Sequence, residues 1–102
     1  MRGTTVGQIN RLLLEKRHEI IEIADRCGAR NVRIFGSAAR GATRPDSDLD
    51  VLVELDRGRS LLDIVALKQD LEDLLDVRVD VVTEAALSPY MRDDVLREAV
   101  AL

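Results

Sequence analysis

Aromatic residues are almost missing: the 102 residues include one phenylalanine, one tyrosine and no tryptophan, although 46% are hydrophobic. The core must therefore be aliphatic. Cysteine is reduced to Cys27, which excludes an internal disulfide and any CxxC metal site. At the end of a helical stretch it reads as a small buried hydrophobe rather than a reactive thiol. The single histidine, His18, stands among Glu15, Lys16, Arg17 and Glu19 and reads as a surface side chain. Positive charge is not in excess: the net charge is −4, and no basic stretch is interleaved with aromatics, so direct nucleic-acid binding is not expected. Long apolar runs are missing as well. Leu12-Leu13-Leu14 is the only continuous one in the first twenty residues, too short for a signal segment or a membrane span, so a cytoplasmic protein without a membrane partner is expected. No repeat, linker or low-complexity segment interrupts the chain. Residues 1–102 read as one domain, large enough to bury about two-thirds of its unfolded surface.

What is present is an ordered series of periodic segments. Ile9, Leu12, Leu13, Ile20, Ala24 and Cys27 recur at helical spacing, and Gly28 supplies a stop. Asn31–Phe35 and Leu49–Leu55 read as strands. Ser60 with Asp63 forms an N-cap pair ahead of Leu61, Ile64, Val65, Leu71 and Leu75. Val77–Val82 is a third strand-like run. Ser88-Pro89 opens a last helix with Met91, Val95 and Ala99 on one face and Tyr90 packed near its start. The class is α/β (α+β), with a small mixed sheet of about three strands flanked by about four helices.

The chemistry concentrates between the first two strands. Phe35-Gly36-Ser37 is followed, after ten residues, by Asp48-Leu49-Asp50. Gly36 lets the backbone approach a ligand without a Cβ in the way, and the Ser37 hydroxyl is a donor for a phosphate oxygen. Ala38-Ala39-Arg40 fits a single helical turn ended by Gly41, with Arg40 adding positive charge beside an anion. Arg44-Pro45-Asp46-Ser47 reads as the turn back to the second strand. Strand alternation points Asp48 and Asp50 the same way, with Leu49, Val51, Val53 and Leu55 as the buried face behind them. Such a carboxylate pair is a half-site for Mg²⁺, which takes one or two protein carboxylates and completes its shell with water and phosphate oxygens.

Asp80 lies inside the valine-rich third strand, on the face opposite Val77, Val79 and Val81. Pairing that strand beside the second would carry Asp80 to the Asp48/Asp50 pair. An acid in so apolar a segment needs a partner, and a metal is one. Glu54 shares the acidic face but reads as solvent-facing, and Arg78 as a partner for an acid. The Asp70, Glu72, Asp73 and Asp76 group reads as a solvated helix face.

These motifs resemble those of the DNA-polymerase-β-type nucleotidyltransferase superfamily. The length, Arg40-Gly41 and Arg78-Val79-Asp80-Val81-Val82-Thr83 resemble its minimal nucleotidyltransferase branch, antitoxins usually encoded beside a HEPN-domain toxin. The resemblance runs from about Val32 to the C-terminus. It implies a nucleotidyltransferase fold, phosphate binding by Gly36 and Ser37, Mg²⁺ binding by Asp48 and Asp50, and Asp80 as the third acid that helps activate the acceptor hydroxyl. It further implies ATP as donor and AMP transfer to a tyrosine of the HEPN partner in a hetero-oligomer. Two alternatives stand beside this expectation: an antitoxin that acts by binding alone, and a transferase for a small molecule such as an antibiotic.

Overall fold

The computed structural model describes residues 11–36 and 48–102. Residues 11–15 are helical, a turn follows at Lys16, and helix α1 spans Arg17–Arg26. Cys27 closes it, and Gly28, at φ +73°, directs its N–H to the Asp25 carbonyl. The left-handed conformation, natural to glycine, turns the chain directly into strand β1, Ala29–Phe35. Strand β2 is Leu49–Leu55 and helix α2 is Leu61–Leu75. The N-cap pair forms as the sequence predicts: the Ser60 hydroxyl accepts from Leu62 N–H and the Asp63 carboxylate accepts from Ser60 N–H at 2.9 Å. Strand β3, Val79–Thr83, leads through a 3₁₀ turn at Glu84–Ala86 to helix α3, Pro89–Glu98, whose first residue is Pro89. Strand β4 is Val100–Ala101.

Among the described residues the sheet has four strands in the order β3-β2-β1-β4 rather than the roughly three read from sequence. The additional strand is two residues long, pairing Ala101 with Arg33 and Val100 with Ile34 in antiparallel fashion. So short a segment shows no alternation of its own; its strand character comes from the partner it meets. β1 and β2 are antiparallel, with a register shift between Arg30 and Arg33 where Asn31 takes φ +53°. β2 and β3 are parallel, and α2 is the crossover that a parallel pair requires. The sheet is therefore mixed.

Both faces of the sheet are packed. On one, Leu49, Val51 and Val53 of β2 and Val79 and Val81 of β3 meet Ile20, Ile23 and Ala24 of α1 and Leu67, Leu71 and Leu75 of α2. The α2 leucines repeat every four residues, so they form one stripe; each fully buried leucine contributes about 1.5–3 kcal/mol. Cys27 lies in this core, and burial, followed by the nearby Asp70 and Asp63 charges, pushes its thiol above the ordinary value of 9.0. The other face is where sequence alternation predicts water. There Leu52 is 0% exposed, enclosed with Phe35 and Val95, while Val82, Leu87, Leu96 and Ala99 pack around them. Helix α3 covers that face through Val95, Leu96 and Ala99; Met91, expected to join them, is exposed. Tyr90, expected to pack, is 92% exposed, because the first turn of α3 lies outside this cluster. No helix among the described residues is long and apolar enough to cross a membrane.

Candidate functional site

Asp50 and Asp80 lie at one end of the α3-covered face. β1 and β2 pair Phe35 with Asp50, so the chain leaves β1 at Gly36 directly beside Asp50. Gly36 takes φ +74°, and a Cβ built there would overlap the Asp50 Oδ2. Two independent constraints thus require glycine: a backbone conformation that L side chains rarely adopt, and the carboxylate seated where a methyl group would stand. The sequence motif predicts a close approach at Gly36. The structure identifies one approaching group as the Asp50 carboxylate itself.

The parallel ladder then pairs Asp50 with Asp80. Directly paired residues share a face on strands about 4.8 Å apart, so two of the three predicted acids are brought together by register alone. Asp80 is exposed and Asp50 half-buried. Asp48 is the residue immediately before β2 and is exposed. Ser37 and Arg40, the other predicted phosphate contacts, lie outside the described residues, as does the 38–41 turn. Among the described residues no three His, Cys, Asp or Glu side chains stand close enough to hold a metal ion by themselves. The donors are nonetheless hard carboxylate oxygens in adjacent register, and Mg²⁺ needs only one or two of them when water and phosphate fill its other positions. The residues present fit that ion.

Further along the same face the charges are paired. Arg33, directly opposite Leu52, sends Nη2 to Glu84 at 2.5 Å and to Glu54 at 3.9 Å. Glu54 also accepts from the Asn31 amide at 2.7 Å, so it is partnered, while its side chain, 42% exposed, faces solvent as the sequence reading expects. Arg92 of α3 reaches Glu84 at 3.6 Å. This network ties β1, the 3₁₀ turn and α3 together beside the acidic end. His18 is on the surface as expected, 3.5 Å from Glu22.

Glu72 departs from the sequence reading. Its Oε2 accepts from Lys68 Nζ at 2.7 Å and from the Val79 backbone N–H at 2.9 Å, one residue before Asp80. These two bonds, the Lys68 bond first, hold its carboxyl below the ordinary value of 4.5. The i,i+4 spacing to Lys68 was visible in the sequence; the bond to a strand seven residues on was not.

A family model described as "Nucleotidyltransferase domain" matches residues 13–102. The protein adenylyltransferase MntA of Thermococcus cleftensis is 38% identical over 96 residues, which are 94% of this chain and 94% of the relative. A solved structure, described by provisional assignment as a minimal nucleotidyltransferase, is 52% identical, with a TM-score of 0.81 over 88% of this chain and 92% of that one. A crystal structure of a toxin–antitoxin with AMP-PNP contains a chain that shares the fold at 23% identity, with a TM-score of 0.71 over 82% of this chain and 69% of that one. A Gly36 turn lodged against Asp50, with Asp80 in register beside it, stands where the family's model covers the chain: this protein is a nucleotidyltransferase, belonging to the nucleotidyltransferase domain family on its minimal branch.

Proposed function

We propose that this chain is the antitoxin of a toxin–antitoxin pair and transfers AMP from ATP to a hydroxyl of its toxin, a HEPN-domain protein whose acceptor is a tyrosine. The observation that carries the reading is the pairing of Gly36, Asp50 and Asp80 at one end of the sheet. The adenylyltransferase named among its relatives supports the donor and reaction type, and the fold shared with a toxin–antitoxin chain supports the partner class.

In this reading Gly36 and Ser37 let the triphosphate approach, and Arg40 places positive charge beside it. Asp50 and Asp80, with Asp48 two residues before Asp50, would hold Mg²⁺ together with water and phosphate oxygens, and the ion would supply charge that stabilises the displacement. The acceptor oxygen bonds to the α-phosphorus, the bond from that phosphorus to the bridging oxygen breaks, and pyrophosphate departs with the electron pair. The hydroxyl proton passes to the Asp80 carboxylate. Asp80 and Asp48 are exposed, which suits an acceptor delivered on a second protein. Positioning rather than covalent catalysis carries the rate.

The test is to incubate the chain with ATP, Mg²⁺ and the HEPN protein encoded beside it, and to read intact masses and the complex by size exclusion. The partner should gain the mass of AMP less one water. Asp80→Asn should abolish that product and leave the complex intact. A stable complex with no mass change in the parent would reject the transferase reading in favour of an antitoxin that acts by binding alone.

A further inference from the structure

Asp80 owes its place to the residues that hold the start of β3. Three residues, Asp76, Val77 and Arg78, turn the chain from α2 into β3, with Asp76 left-handed at φ +55° and its N–H on the Glu72 carbonyl at 2.8 Å. On the β2 side, Leu49 N–H donates to the Arg78 carbonyl at 2.8 Å. Among the described residues β3 is an edge strand; at Val79 its N–H is taken by the Glu72 carboxylate at 2.9 Å. Lys68, one turn earlier on α2, donates to the same carboxylate oxygen and holds it in place. Without Glu72 the Val79 N–H would lose this bond and depend on water at the strand edge, where the Glu72 side chain is 28% exposed.

We propose that Glu72 is a positioning residue for nucleotidyl transfer, clasping Val79 from helix α2 so that Asp80 stands opposite Asp50. The inference rests on the proposed transferase reading. The peptide that Glu72 grips is contiguous with Asp80, and the register it guards is the one that pairs the two acids. A displacement of 1 Å at a reacting group lowers a rate by about a hundredfold, so a loosened β3 start acts on the chemical step while the nucleotide still meets Gly36 and Asp50. Glu72 acts through an oxygen that accepts from a backbone N–H, which glutamine also offers and alanine does not.

The experiment compares parent, Glu72→Gln and Glu72→Ala in two measurements. In AMP transfer to the HEPN partner, Glu72→Ala should lose about tenfold or more in kcat with its KM for ATP little changed, while Glu72→Gln stays near the parent. In the metal-free chain, amide hydrogen exchange at Val79 should accelerate in Glu72→Ala and not in Glu72→Gln. Alanine retaining the parent kcat, or glutamine losing as much as alanine, overturns the clasp. A parent without transfer activity overturns the transferase reading instead. The exchange measurement then decides alone: unchanged Val79 exchange in Glu72→Ala refutes the clasp, and acceleration confined to alanine upholds it.

Discussion

Replacing Gly36 by alanine tests the site at its tightest point. Gly36 has φ +74°, and a left-handed L residue costs about 1–2 kcal/mol. For a domain of this size each kcal/mol lowers the melting midpoint by about 4–8 °C. The added methyl would also overlap Asp50 Oδ2, so the carboxylate must turn aside. Gly58 supplies the control: its φ is +84°, and among the described residues a Cβ there meets nothing within 4 Å. Gly58→Ala therefore isolates the backbone cost. Thermal melts should show both variants destabilised, Gly36→Ala at least as much as Gly58→Ala. AMP transfer should separate them: Gly58→Ala keeps the parent rate, and Gly36→Ala loses about a hundredfold through the displaced carboxylate. Gly36→Ala transferring at the parent rate would refute the argument that the turn and the Asp50 carboxylate form one site.

Three further outcomes follow from the same geometry. Asp50 and Asp80 are directly opposite in the parallel ladder, and like charges so placed are destabilising; Asp80→Asn should raise the metal-free melting midpoint and lose most of the further rise on adding ATP with Mg²⁺, whereas an unchanged apo midpoint contradicts the pairing. Leu52→Ala should cost about 2–5 kcal/mol in denaturant unfolding, since Leu52 is 0% exposed between Phe35 and Val95; a cost below 1 kcal/mol, roughly that of a surface change, would contradict a packed second face. Glu72 is held below its ordinary value of 4.5, so its ionised form favours the folded state above that value and the benefit is lost as pH falls through the lower folded value. The stability gap between parent and Glu72→Gln should accordingly be present at neutral pH and close in acid, where a gap that persists would argue against the ion pair with Lys68.

The sequence carried the strands that form the site because their signals are local. Asp48 and Asp50 sit two apart at the head of an alternating run, Asp80 is an acid among valines, and Ser60 with Asp63 announces α2; β2, β3 and the N-cap form near those positions, while Asp80 is exposed rather than enclosed by its valines. What escaped depends on distant partners. β4 is two residues that become a strand only against Arg33 and Ile34. Leu52 and Glu54 lie on the face that alternation assigns to water, and only the position of α3 and the Arg33 side chain shows them covered or paired. Glu72 looked like one member of a solvated acidic face because its second partner is a backbone N–H in β3. Tyr90 is expected to pack near the start of α3, yet the second core closes around Val95 and Leu96 and leaves the first turn of α3 outside.

The most direct test of the central claim is the fate of the α-phosphate. The chain, Mg²⁺ and the HEPN partner are incubated with ATP radiolabelled at either the α- or the γ-phosphate, in parallel with Asp80→Asn. The account predicts label on the partner from α-labelled ATP only, release of pyrophosphate in equal amount, and neither in the variant. Label arriving from γ-labelled ATP, or equal labelling by parent and Asp80→Asn, would contradict nucleotidyl transfer at the site where Gly36, Asp50 and Asp80 meet.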